Sequence, residues 1–221
     1  MSMQLEKKID TIKADVLKMA GKVQLAISDS VGALAKGDPD QARRVIADDQ
    51  AINAMLKEID QKIIGFQALE QPVASDLRFS ITSTRVVILL EHIGDQALGI
   101  AEQVLSMAPR QTALPPCPFL EKLAGLTRKM FDDAMRLYTV HSGEGFEHFS
   151  DMESEISQLV TSTLRFYVNF MIDKDRVVEK AINMIIVSRN LKTICDYTMN
   201  IVENILFVEY GISVDHVCSP V

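Results

Sequence analysis

Glu91, Asp95 and Glu102 stand in one row within the stretch LLEHIGDQALGIAE, Leu89 to Glu102. The apolar residues of this stretch recur every three or four positions, the spacing of a packed helix. On a helix, acids separated by four and then seven residues share one edge. Carboxylates one turn apart repel by roughly 0.2–0.5 kcal/mol unless something positive neutralises them, and neither Glu91 nor Asp95 has a Lys or Arg four residues away. Two carboxylates at this spacing can chelate or bridge a hard or borderline cation, provided a neighbouring helix supplies further oxygens. The segment DDQAIN, from Asp48, offers Asp49 and Asn53 at the same interval of four. The plain alternative is a solvated acidic face. The missing counter-charges, and Ile88 and Leu98 on the same side, argue against it.

Other reactive chemistry is sparse. His92, His141, His148 and His216 form no E-x-x-H pair of the kind that builds di-iron carboxylate sites, and His92 reads as a surface histidine rather than a ligand. The glycines make no phosphate-cradling loop, and there is no G-x-S-x-G nucleophile motif. Cys117, Cys195 and Cys218 are odd in number and far apart, which gives neither a zinc spacing nor a disulfide framework, so they read as ordinary reduced thiols. The 11 methionines fall mostly at helical spacing among apolar residues and read as core filling. A net charge of −7 with no Lys/Arg cluster argues against a general grip on nucleic acid. MSMQLEKKIDTIKADV lacks a signal-peptide core, and no apolar run reaches the roughly 18 residues of a membrane span. The expected location is the cytoplasm.

The elements that must position the acids are all helical. Apolar residues at helical intervals run from Leu5 to about Leu34. KGDPD then supplies Gly37 as a stop, Asp38 as N-cap and Pro39 at the first helical position. The second helix continues to Pro72, and the third runs from near Ser75 to about Met107. APRQTALPPCPF brings four prolines close together and reads as a linker over 109–118. A fourth helix is predicted from about Phe119 to His141 and ends at the glycines Gly143 and Gly145. A fifth ends near Ile172, and a sixth runs from about Asp175 to Tyr210, closed by Gly211. The expected organisation is therefore an all-α chain of two tandem, similar three-helix bundles, 1–108 and 119–211, with a tail at 212–221.

An internal repeat supports this division. An offset of 101 residues lays HIGDQALGIAEQVL, from His92, over TICDYTMNIVENIL, from Thr193, matching Asp95 with Asp196 and Glu102 with Glu203. Val86, Leu90, Ile93, Ala97, Ile100, Val104 and Met107 form a seam on the third helix, repeated on the sixth by Val187, Leu191, Ile194, Thr198, Ile201, Ile205 and Val208. Glu91 lies about 200° around the helix from Ile93, which directs the acids to the outer side of the bundle.

LLEHIGDQALGIAE, preceded by QPVASDLRF from Gln71 and by DDQAIN, resembles the PhoU family of phosphate-uptake regulators across essentially the whole chain. The resemblance implies an all-α fold of two similar bundles. It also implies multinuclear metal clusters, often iron or zinc, held by E/D-x-x-x-D pairs on the second and third helices of each bundle. Carried onto this chain, the first site is Asp49, Asn53, Glu91 and Asp95, with Asn53 where an acid is usual. In the second bundle Lys192 stands in place of the glutamate, leaving Glu153 and Asp196, so that site is expected to be weak or absent. Glu102 and Glu203 are outer contributors two turns further on, and Asp76, Arg78 and Arg189 are candidate partner contacts. The implied role is a non-enzymatic, dimeric regulator that couples the phosphate ABC transporter, through its ATPase, to a sensor histidine kinase and restrains the phosphate-starvation response. The alternatives are a carboxylate-metal hydrolase and an accessory protein of a different phosphate carrier.

Overall fold

The computed structural model describes residues 3–108, 114–140, 146–172 and 177–210. The helix ends expected at His141, Gly143, Gly145, Asp175 and Gly211, the tail at 212–221, and His216 and Cys218 lie outside them. Among the described residues there are six helices: α1 (Met3–Lys36), α2 (Pro39–Glu70), α3 (Ala74–Met107), α4 (Pro118–Val140), α5 (Phe146–Ile172) and α6 (Val178–Tyr210). No strand occurs among the described residues.

Local chemistry sets the ends. Gly37 takes a left-handed φ of 63° that closes α1. The Asp38 carboxylate then accepts from the Asp40 and Gln41 amides at 2.9 and 3.0 Å, with Pro39 opening α2. The turn to α3 is abrupt, and Gln71 and Ala74 both adopt positive φ, at 45° and 48°. Pro118 differs from its expected place in the linker: it is the first residue of α4, where its missing N–H costs nothing. The Cys117 carbonyl accepts from Leu120 and Glu121 at that end.

Within each half the three helices pack on one another, and the halves join through α3 against α6 and α1 against α4. The predicted seam of α3 is buried throughout, from Val86 to Met107, and that of α6 is buried from Val187 to Ile205. A single apolar cluster runs through both halves, from Ile9 and Val16 to Val202 and Leu206. Each fully buried Leu or Ile in it contributes about 1.5–3 kcal/mol, and a smaller separate cluster of Ala33, Ala42, Val45, Ala101 and Val104 lies in the first half.

The α3–α6 contact is antiparallel and has its own seven-residue rhythm. Arg85, His92, Gly99 and Ser106 on α3 meet Asn204, Tyr197, Asn190 and Asn183 on α6. Arg85 donates to Asn204 Oδ1 at 3.3 Å, and Asn183 donates to Ser106 Oγ at 3.2 Å. Between them the His92 and Tyr197 rings stand 5.2 Å apart. Seven residues before Arg85, Arg78 Nε donates to the Val208 carbonyl near the end of α6 at 3.3 Å. This satisfies one of the carbonyls that a helix C-terminus leaves unpaired.

Candidate metal centre

The acidic row of α3 meets α2 through Gly94. A β-carbon at Gly94 would lie 3.2 Å from Ile52 Cδ1 and 3.7 Å from Asp49 Oδ1, so the glycine lets the α2 side chains come close to the α3 backbone. Asp49 is thereby only 8% exposed, inside the α2–α3 contact rather than on an outer face. Asn53, one turn on, donates its amide to Asp49 Oδ2 at 2.9 Å. The other oxygen, Asp49 Oδ1, is buried with no hydrogen-bond partner. Asp95 is exposed, as its position on the helix predicts, whereas the Glu91 side chain retains only 22% exposure.

The three carboxylates act on one another. Burial pushes the Asp49 carboxyl above the usual range and the Asp95 charge adds to this, against the opposing hydrogen bond from Asn53. Glu91 is likewise raised, first by burial, then by the charges of Asp95 and Asp49, with His92 opposing. His92 Nε2 lies 3.7 Å from Glu91 Oε2, while its ring rests near Tyr197. A buried, unpaired carboxylate oxygen with two like charges in range is a place where a cation lowers the energy. The donor set is oxygen-rich and suits a hard or borderline ion. Among the described residues no three His, Cys, Asp or Glu side chains stand close enough together to hold a metal ion as they are placed, so Asp49, Glu91 and Asp95 would have to turn toward one another to do so.

The second bundle is built differently. Lys192 Nζ bonds to Asp196 one turn along α6 and lies 3.6 Å from Glu153 of α5. Burial alone would lower the Lys192 pKa, but the Asp196 hydrogen bond and the charges of Asp196 and Glu153 outweigh it and raise it. The ammonium therefore fills the position between the two acids, and these residues do not fit a metal ion.

The remaining sequence candidates are dispersed. Glu102 is exposed on α3 and Glu203 is partly buried on α6. Arg78 is partly buried and bonded to α6, whereas Arg189 is exposed and Asp76 is partly exposed in the first turn of α3. Gly94 and Gly99 are the functional positions that sequence reasoning passed over. Two glycines inside one long helix, each costing about 1 kcal/mol relative to Ala, were the available signal of close approach. Cys195 is an inert core thiol, its pKa pushed up to about 12 by burial despite the hydrogen bond to Thr127.

Comparison with known proteins agrees with the fold. The chain is 26% identical over 216 residues to the phosphate-specific transport system accessory protein PhoU homolog of Pseudomonas aeruginosa, covering 98% of this chain and 89% of that one. It is 30% identical over 200 residues to the corresponding homolog of Rhizobium meliloti, covering 89% and 83%. The crystal structure of the phosphate transport system regulatory protein PhoU from Streptococcus pneumoniae superposes with a TM-score of 0.89 at 25% identity, covering 96% of this chain and 99% of that one. The PhoU domain itself matches twice, over residues 16–104 and 120–205, one copy in each half. The chain belongs to the PhoU family.

Proposed function

We propose that this protein is a non-enzymatic regulator of phosphate uptake. In this reading it works in the cytoplasm, contacts the ATPase of the phosphate ABC transporter and a sensor histidine kinase, and holds the phosphate-starvation response off while phosphate is plentiful. The observation that carries the reading is the duplicated PhoU domain, together with relatives named for the phosphate-specific transport system. Among the described residues no helix is long and apolar enough to cross a membrane, in keeping with a protein that reaches the membrane through partners. The exposed Arg189 and the partly exposed Asp76 are positions from which such partners could be held. Self-association is proposed from the likeness to the family, and Ile88, 43% exposed on α3, is one apolar residue on the outer side of that helix. The expected mass by light scattering at micromolar concentration is that of a dimer, and a strictly monomeric mass would remove this part.

The metal part of the proposal is confined to the first bundle. Asp49, Glu91 and Asp95, with the Asn53 carbonyl oxygen after an amide reorientation, would hold iron or zinc. The metal would supply the positive charge that the three carboxylates lack. A hydrolase would need a general acid or base aimed at the metal, and His92 is instead engaged with Glu91 and Tyr197.

Deleting the gene tests the regulatory half: phosphate-responsive genes should stay on in phosphate-rich medium, and unchanged expression would overturn it. Elemental analysis tests the metal half. The Glu91→Ala/Asp95→Ala protein should lose the metal that wild type carries, whereas Asp196→Ala should retain it. Equal content in wild type and the double variant would sink the site.

A further inference from the structure

We infer that Lys192 is the resident cation of the second bundle, its ammonium occupying by covalent attachment the place between Glu153 and Asp196 that an ion would take, so that only one half of this molecule responds to metal. The inference rests on the metal half of the preceding reading and says where that response stops.

The two halves place comparable groups in comparable positions. Asp95 and Asp196 correspond across the 101-residue offset, as do Glu91 and Lys192. Facing them, α2 presents Asp49, near Asp95 and Glu91, and α5 presents Glu153, which lies 3.6 Å from Lys192 although the same offset pairs Asp49 with Ser150. In the first half this arrangement leaves three carboxylates, one of them with a buried bare oxygen. In the second half one carboxylate becomes an ammonium, and both remaining acids turn to it: Asp196 from the same helix and Glu153 from across the α5–α6 contact. The Lys192 and Glu153 side chains are each about a quarter exposed, at 25% and 24%, so this contact is partly withdrawn from water and screened less than a surface pair.

A divalent ion entering here would meet a fixed positive charge within a few ångströms, and that charge already balances one of the two acids. Displacing Lys192 would leave an ammonium half-buried without its partners, an arrangement that is strongly unfavourable. The second half is therefore held in its α5–α6 geometry whether metal is scarce or abundant. The first half, in contrast, keeps its repulsion between charged carboxylates until an ion is present.

The test uses the full-length chain, freed of metal by a chelator and titrated with Mn²⁺ followed by calorimetry. In the Glu91→Ala/Asp95→Ala background the second bundle should bind no Mn²⁺. Adding Lys192→Glu restores the acid-x-x-x-acid spacing beside Glu153 and should create one equivalent of Mn²⁺ binding, which a further Glu153→Ala should weaken at least tenfold. If Lys192→Glu does not fold when judged by circular dichroism, Lys192→Gln decides. Without its cation it should melt roughly 2–4 °C lower and recover part of that loss on adding Mn²⁺. The inference is overturned if the double-variant background binds an equivalent that Asp196→Ala removes. It is equally overturned if a folded Lys192→Glu protein gains no site, or if Lys192→Gln melts as wild type does. Should wild type bind no Mn²⁺ at all, the first-bundle site fails, yet the gain on Lys192→Glu still decides the role of this lysine.

Discussion

Asn53 and Asp49 sit one helical turn apart on α2, and the Asn53 amide donates to Asp49 Oδ2 at 2.9 Å while Oδ1 of the same carboxylate stays bare. Asn53 thus acts on the buried acid in two ways. As a donor it satisfies half of a carboxylate that would otherwise be wholly unpaired, and as an amide it withholds a fourth negative charge from the cluster.

Asn53→Asp should separate these effects. In chelator, the variant loses the donor and adds repulsion, and an unsatisfied buried acceptor costs about 1–3 kcal/mol. At about 2–4 °C per kcal/mol for a chain of this size, the thermal midpoint should drop by several degrees. With Mn²⁺ or Zn²⁺ present the order should reverse, because four carboxylates attract a cation more strongly than three. A variant as stable as wild type in chelator would show that Asn53 does not support Asp49.

The glycines of α3 give a second prediction, read by comparing sites. Gly65 on α2 has open space where a β-carbon would go, so Gly65→Ala should stabilise by about 0.5–1 kcal/mol through helix propensity alone. At Gly99 the added atom would meet the Asn190 amide at 2.9 Å. An alanine there can be accommodated by turning that flexible side chain, but Gly99→Leu cannot. It should force α3 from α6 and destabilise by about 1–3 kcal/mol. Urea unfolding of both variants checks the contrast, and a neutral Gly99→Leu would mean that the helices do not approach closely at this point.

The α3–α6 contact also marks where the sequence stopped being legible. Asp38, Pro39 and Pro72 announce helix ends by local chemistry, and the apolar seams of α3 and α6 announce their buried edges by periodicity. These features depend on residues near one another in the chain. The edge joining the two halves consists of Arg85, His92, Gly99 and Ser106 against Asn183, Asn190, Tyr197 and Asn204. Read as a pattern, such residues describe a solvated face. They become an interface only because each meets its partner across roughly 80 to 120 residues of chain, which no local rule reports. The burial of Asp49 has the same origin. The angle from Ile93 correctly sends Asp95 outward, but it says nothing about how closely α2 lies over Gly94. Arg78 likewise stands in the sequence only as a candidate partner contact, and its bond to the end of α6 is visible only in three dimensions.

The last prediction concerns pH. Asp49 and Glu91 both have pKa values raised above those of the unfolded chain, for which burial is the leading cause and the Asp95 charge the next. Between the ordinary carboxylate range and these raised values, the folded protein binds more protons than the unfolded one. Stability must then fall as pH rises through that window. The chelator-treated protein should accordingly melt lower at neutral pH than just above the ordinary carboxylate range, once the contributions of other groups are subtracted using the Asp49→Asn/Glu91→Gln variant. That variant keeps the shapes and removes the charges, so its profile should be flatter and its midpoint at neutral pH higher than that of the metal-free parent. Saturating metal should flatten the parent profile in the same way, because an ion favours the deprotonated carboxylates that the bare fold disfavours. Identical profiles for parent and variant would mean that these acids carry no repulsion for a metal to relieve.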